Sequence, residues 1–188
     1  TGNSRVGGLV GYAHAGQSTG STSSISFSGD VARGDVQGWS QVGGLIGEVF
    51  VEGINSTATV TVSNAVAHGP VTSGEDEAGG LVGKVISTTT SSGGYGYGSG
   101  GAGAASFTVS GSTSYGAVSG VRNTIGGLIG YAEANGSNGN ASIDISNSTA
   151  KGTVSGINDV GGLVGRASAV GGYGGRARSE EHTSELQS

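Results

Sequence analysis

The hexapeptide Val160-Gly161-Gly162-Leu163-Val164-Gly165 recurs five times in this chain, and no other feature constrains the fold as strongly. The other copies are Val6-Gly7-Gly8-Leu9-Val10-Gly11, Val42-Gly43-Gly44-Leu45-Ile46-Gly47, Ala78-Gly79-Gly80-Leu81-Val82-Gly83 and Ile125-Gly126-Gly127-Leu128-Ile129-Gly130. Measured from the first glycine of each pair, they lie 36, 36, 47 and 35 residues apart. Self-similarity at such a period marks a stack of supersecondary units. One unit offers about six inward apolar side chains, each worth ~1.5–3 kcal/mol when buried. Ordering its backbone costs ~1–2 kcal/mol per residue, with glycine at the costly end. A lone unit therefore cannot stand, and neighbours must share one core and one hydrogen-bond ladder.

Aligning the copies extends the repeat upstream, through the segments Ile25 to Val36, Val60 to Val71, Phe107 to Val118 and Ile143 to Val154. Alternation of side chains reads as three strands per unit. The first strand carries apolar pairs, Ile25/Phe27, Val60/Val62, Phe107/Val109 and Ile143/Ile145, around a polar Ser26, Thr61, Thr108 or Asp144. A serine follows (Ser28, Ser63, Ser110, Ser146), then Gly29, Asn64, Gly111 or Asn147. Glycine and asparagine both tolerate positive φ, so this column is expected to be a corner. The second strand is read through Ala32-Gly34-Val36 and its equivalents, with Arg33, His68, Tyr115 and Lys151 facing solvent.

The third strand is the hexapeptide, and it contains a conflict. Tyr12, Glu48, Lys84, Tyr131 and Arg166 mark a wet face, yet Val10, Ile46, Val82, Ile129 and Val164, two residues earlier, share it by alternation. Either the strand bends at the glycine pair or something packs over it. Connections between units are rich in Ser, Thr, Gly and Asn; the longest, the 87–106 loop, absorbs the extra residues of the 47-residue spacing.

Composition excludes several classes. Forty-two glycines stand against one proline without a triplet period, which rules out collagen. Cysteine is absent, so there is no disulfide, thiolate metal site or cysteine nucleophile. No apolar run is long enough to span a membrane, and no membrane insertion is expected of this segment. The chain opens at Thr1, five residues before a repeat copy, and reads as part of something longer. Residues 178–188, Arg178 to Ser188, have no glycine and no relation to the repeat. They resemble the in-frame translation of a common sequencing adapter, and are read as a non-native tail beside a repeat region spanning 1–177. Repeat units fall at about 25–49, 60–85, 107–132 and 143–167, with a partial unit at 6–13. The tail holds one arginine and three glutamates, so a formal charge of −5 becomes −3 without it. Scattered basic residues on an acidic chain argue against nucleic acid as a partner.

The Val-Gly-Gly-Leu-Val-Gly copies, preceded by Gly-x-Val and by the Ser-Asn/Gly corner, resemble GLUG-motif repeats over roughly Val6 to Ala167. The resemblance implies a segment of a large bacterial surface or secreted protein, of the adhesin-like kind or an accessory part of an immunoglobulin-A peptidase. The motif contributes no catalytic residues.

Several short motifs compete with bland readings. Arg33-Gly34-Asp35 spells an integrin-recognition tripeptide, but its glycine is a repeat position, equivalent to Gly69, Gly116 and Gly152, expected to face the core of a strand. Gly96 to Gly101 and Gly98 to Gly103 fit a dinucleotide fingerprint, and at this glycine content such matches arise by chance. Gly16 to Gly20 fits a nucleophile elbow without a strand-turn-helix context. Glu75-Asp76-Glu77 could contribute to a Ca²⁺ site, although adjacent carboxylates on a corner are more often solvated. His14 and His68 are too few for zinc without cysteine. Asp30, Asp35 and Asp144 lie on expected strands, and paired carboxylates could serve glycoside cleavage, but no motif joins them. Tyr95 and Tyr97, amid glycine in the 87–106 loop, are the best placed for contact with a ligand.

The expected fold is an all-β solenoid, a right-handed parallel β-helix, with the hand resting on the usual crossover rule. The expected function is a non-catalytic stalk or display scaffold, extracellular or on the bacterial cell surface. Its partners are host or neighbouring-cell surfaces and further repeats of its own chain. A glycan-binding module and an accessory part of a peptidase or carbohydrate-active enzyme are the alternatives. No cofactor, metal or catalytic residue is expected, and the binding residues are left open.

Overall fold

The computed structural model describes residues 1–90, 103–136, 139–172 and 176–181, with residues 17–19 and 179–181 described through their backbone. Among the described residues there is no helix, and every strand pairing is parallel. The chain is a β-solenoid of about four turns.

The first coil comprises β1 (Ser4–Gly7), β2 (Val10–Thr19), β3 (Ser23–Ser28), β4 (Val31–Ala32) and β5 (Val36–Gly38). The second repeats the series as β6 (Ser40–Gly43), β7 (Ile46–Ile54), β8 (Ala58–Ser63), β9 (Val66–Ala67) and β10 (Val71–Ser73). The third is β11 (Ala78–Gly79), β12 (Val82–Thr90), β13 (Ala105–Ser110), β14 (Thr113–Ser114) and β15 (Val118–Gly120). The fourth is β16 (Ile125–Gly126), β17 (Ile129–Gly136), β18 (Ala141–Ser146), β19 (Thr149–Ala150) and β20 (Val154–Ser155). A last partial coil adds β21 (Val160–Gly161), β22 (Val164–Gly171) and β23 (Ala177–Glu181). Equivalent strands stack into five sheets, three of five strands and two of four.

Each coil thus has five strands where alternation predicts three, and glycines cause both additional breaks. In the hexapeptide, the carbonyl oxygen of Ile46 occupies the space a β-carbon on Gly43 would need. The same holds for Val10 over Gly7, Val82 over Gly79, Ile129 over Gly126 and Val164 over Gly161. The chain therefore folds sharply between β6 and β7, and the bend turns two consecutive side chains, Leu45 and Ile46, into the core. The conflict at Val10 and its equivalents is resolved by the bend, and nothing needs to pack over the strand. Hydrogen bonds fix it from coil to coil, since the Leu81 carbonyl accepts from the N–H groups of Leu45 and Ile46 at 2.9 and 3.0 Å.

The second break replaces the expected second strand by β4 and β5, joined through residues 33–35. Here the carbonyl of Gly34 occupies the space beside Gly69, that of Gly69 beside Gly116, and that of Gly116 beside Gly152. Side chains cannot enter such a contact, and glycine is required on steric grounds.

The corner after the first strand forms as the sequence suggests. Gly29, Asn64, Gly111 and Asn147 have φ of 71°, 51°, 57° and 50°. Inside it, Ser148 Oγ accepts from Ser112 N–H at 3.2 Å, and Ser112 Oγ accepts from Ala65 N–H at 3.1 Å, a buried hydroxyl ladder between coils.

The bends divide the interior in two. The main core runs through Leu45, Ile46, Val60, Val62, Leu81, Phe107, Val109, Leu128, Ile143 and Ile145. A smaller one holds Val36, Val42, Val71, Ala78, Val118 and Ile125. At the last coil, β23 pairs with β18, placing Arg178 opposite Ser142 and Glu180 opposite Asp144 in register, so the ladder extends into the tail.

Candidate functional site

Three outer surfaces carry chemistry that the fold arranges. The first borders the long strands β2, β7, β12, β17 and β22. The residue before each hexapeptide, Arg5, Gln41, Glu77, Thr124 and Asp159, has φ between 46° and 61°. Five non-glycine residues in one left-handed column are costly, at ~1–2 kcal/mol each. Close stacking accompanies the conformation at three of these positions, where Gly47, Gly83 and Gly165 of the following coils pack on the backbone of Arg5, Gln41 and Thr124. A β-carbon on Gly47 would approach the carbonyl carbon of Arg5, and one on Gly165 would lie 2.8 Å from that of Thr124.

The left-handed turns direct side chains onto the wet face of the long strands. Arg5 pairs with Glu48 at 2.6 Å, and its guanidinium lies 4.3 Å from the Tyr12 ring centroid. Glu77 accepts from Lys84 Nζ at 2.6 Å and from the Gln41 amide. Lys84 Nζ lies 5.4 Å from the Tyr131 ring, and Tyr131 donates to Glu133 Oε2 at 2.7 Å. Arg166 and Asp159 close the strip at 3.8 Å. Burial foremost, then the hydrogen bond to Glu133, pushes the Tyr131 phenol up to about 12. His14 continues the surface between Tyr12 and Phe50, with ring centroids 6.1 and 5.4 Å away.

The second surface is the column Arg33, His68, Tyr115 and Lys151 beside the short strands. The sequence reads it as chemically unrelated solvated residues. His68 and Tyr115 stack at 4.9 Å with planes 9° apart, and Lys151 Nζ lies 4.7 Å from the Tyr115 centroid. Both faces of the Tyr115 ring are thereby covered, so no open platform for a sugar ring remains on it. The third surface is the outer face of β3, β8, β13 and β18. Its outward columns are Ser24, Thr59, Ser106 and Ser142; Ser26, Thr61, Thr108 and Asp144; and Ser28, Ser63, Ser110 and Ser146.

The sequence candidates are dispersed over these surfaces. Arg33, Gly34 and Asp35 form the exposed link between β4 and β5, where the sequence placed a strand with its glycine facing the core. Gly34 has open space at its β-carbon position. Asp30 likewise lies in the β3–β4 corner and not on a strand, while Asp144 lies in β18 with a buried Oδ1 that has no hydrogen-bond partner. The acidic run is divided among separate partners. Glu75 faces Arg122 at 3.4 Å, Asp76 Oδ1 accepts from Asn123 N–H at 2.9 Å, and Glu77 serves Lys84 and Gln41. No group of three or more metal-ligating side chains converges among the described residues. Gly16 to Thr19 end β2, and Gly20 turns with φ of 75°. Tyr95, Tyr97 and the Gly96 to Gly101 match lie outside the described residues, as does all but Gly103 of the Gly98 to Gly103 match.

Sequence reasoning missed the left-handed column, whose five residues share no turn-forming chemistry, and the aromatic–cation stack, whose members share flatness or charge but no residue class. Trp39, Val121 and Ile157, exposed at the corner after β5, β15 and β20, were also unmarked. No helix among the described residues is long and apolar enough to cross a membrane. Compared with known proteins, the chain matches no family model, no curated protein and no solved structure.

Proposed function

We propose that this chain is a non-catalytic structural and adhesive segment, a stalk or display scaffold of a large bacterial surface or secreted protein related to those with GLUG-motif repeats. The observation that carries the reading is the use made of the hexapeptide. In the three inner copies the space beside each glycine is filled by neighbouring backbone, and Leu45, Leu81 and Leu128 are buried in the core, so the repeated residues are consumed in building the stack. What differs between coils lies outside, which suits a rod that displays variable surface to host or neighbouring-cell partners. Glycan array screening of the whole chain tests it: selective, high-affinity retention of one glycan would replace the scaffold by a lectin.

The lectin is the second reading, favoured by Tyr12, His14 and Phe50 beside the Arg5–Glu48 pair on the long-strand face. Aromatic edges next to fixed charges can orient hydroxyl-rich ligands. Substituting Tyr12 and His14 by alanine would abolish glycan retention if this face were the site.

A further inference from the structure

We propose that the outer face of the β3–β8–β13–β18 sheet binds an ordered planar lattice of water, an ice surface. This goes beyond the scaffold reading and does not depend on it. Eleven of the twelve outward positions on these strands are serine or threonine, the exception being Asp144. Strand register is unbroken across all four strands, so the hydroxyls fall on a grid. Its steps are ~4.8 Å between strands and ~6.6 Å along them. The step between strands is close to an oxygen repeat distance on the prism face of hexagonal ice, and the step along them is somewhat shorter than the other repeat.

The grid is rigid. Beneath it, Val60, Val62, Phe107, Val109, Ile143 and Ile145 are at most 1% exposed. Neighbouring hydroxyls are tied to one another, Ser63 Oγ donating to Ser28 Oγ at 3.1 Å and Ser106 Oγ to Thr59 Oγ1 at 3.2 Å. A hydroxyl carries one donor and two acceptor sites, so each retains capacity for water above the sheet.

The chemistry narrows the ligand. The four-strand grid itself has no lysine, arginine or ring, the nearest being Arg178 at its β23 edge, so it lacks the clustered charge that holds anions and the aromatic surface that holds sugars. A hydroxyl gains little by exchanging one water for another polar group. Gain comes when many contacts form at once with little ordering left to do, because waters on a fixed grid already hold lattice positions. An uncharged, flat and doubly periodic ligand meets that condition. The long-strand face, broken by Arg5, Glu48, Lys84 and Arg166, does not present such a grid.

The test is partitioning of the fluorescently labelled whole chain into a slowly growing ice hemisphere, with ice-crystal shaping as a second readout. Wild type is expected to enter the ice and to facet crystals. Thr61→Lys and Thr108→Lys, at the grid centre, should each lower the ice-bound fraction about tenfold or more by setting a hydrated charge against the lattice. Thr72→Lys, on the separate β10 face, should leave it unchanged. Circular dichroism and urea midpoints establish that the variants fold. Exclusion of wild type from ice, or equal uptake of the grid variants, overturns the proposal. Grid-dependent binding to crystalline cellulose without ice uptake overturns it too and assigns the face to polysaccharide.

Discussion

The carbonyl oxygen of Gly80 fills the space that a β-carbon on Gly44 would need. The relation repeats from Gly8 to Gly44, from Gly80 to Gly127 and from Gly127 to Gly162, where it stops, since Gly162 has open space. The same sequence position is thus sterically closed inside the stack and open at its end. Gly44→Ala is expected to cost about 1–3 kcal/mol or more, as overpacking against backbone that cannot yield. Gly162→Ala should be neutral or stabilising by about 0.4–1 kcal/mol, through a less flexible unfolded chain. Urea unfolding of both variants decides the matter: equal losses would show that glycine is needed for something other than close approach.

The left-handed column yields the opposite kind of change. Thr124 is buried with φ of 58°. A β-branched residue is poorly suited to that conformation, whereas asparagine adopts it readily, as Asn64 and Asn147 do at the other corner. Thr124→Asn should therefore stabilise the chain by up to about 1 kcal/mol. The check is the unfolding midpoint; a loss would mean that the buried threonine methyl contributes more than the backbone relief.

Ionisation of Tyr131 gives a pH signature. Its pKa rises from 10.0 to about 12, chiefly through burial and then through the hydrogen bond to Glu133. Below pH 10 both folded and unfolded chains hold the proton. Between about 10 and about 12 the unfolded chain releases it while the folded chain keeps it, so stability falls as pH rises through that window. Tyr131→Phe removes this contribution and should flatten the fall. The side chain is only half-buried, so solvent screening keeps the effect small, and it is best read as the difference between wild-type and variant unfolding curves across the window.

How much of this was legible depended on whether a residue type announces its backbone. The Gly29, Asn64, Gly111 and Asn147 corner could be read directly, because glycine and asparagine share tolerance of positive φ. The bend before Ile46 could be read only as a contradiction in alternation; resolving it required knowing that the Ile46 carbonyl closes over Gly43. The break at Gly34 left no trace, since Ala32 and Val36 keep correct alternation across the exposed link. Arg5, Gln41, Glu77, Thr124 and Asp159 were invisible because their backbone runs against local preference.

The His68–Tyr115 stack offers the most direct measure of how coils communicate, because the two residues belong to different coils and share no strand. Their rings lie 4.9 Å apart and nearly parallel, with Lys151 on the far side of Tyr115. Stacked aromatic pairs contribute about 0.5–1.5 kcal/mol beyond burial, and an exposed cation over a ring adds about 0.5–1 kcal/mol. Each single alanine variant also loses contact with the sheet beneath, so only the coupling isolates the stack. A double-mutant cycle of His68→Ala and Tyr115→Ala is expected to give a coupling of about 0.5–1 kcal/mol at this exposed position, with a further coupling between Tyr115 and Lys151 that declines as salt screens the ammonium. Coupling indistinguishable from zero in both cycles would return the column to a merely solvated face. A measurable value would instead make the outer columns, and not only the glycine-lined interior, part of what binds one coil to the next.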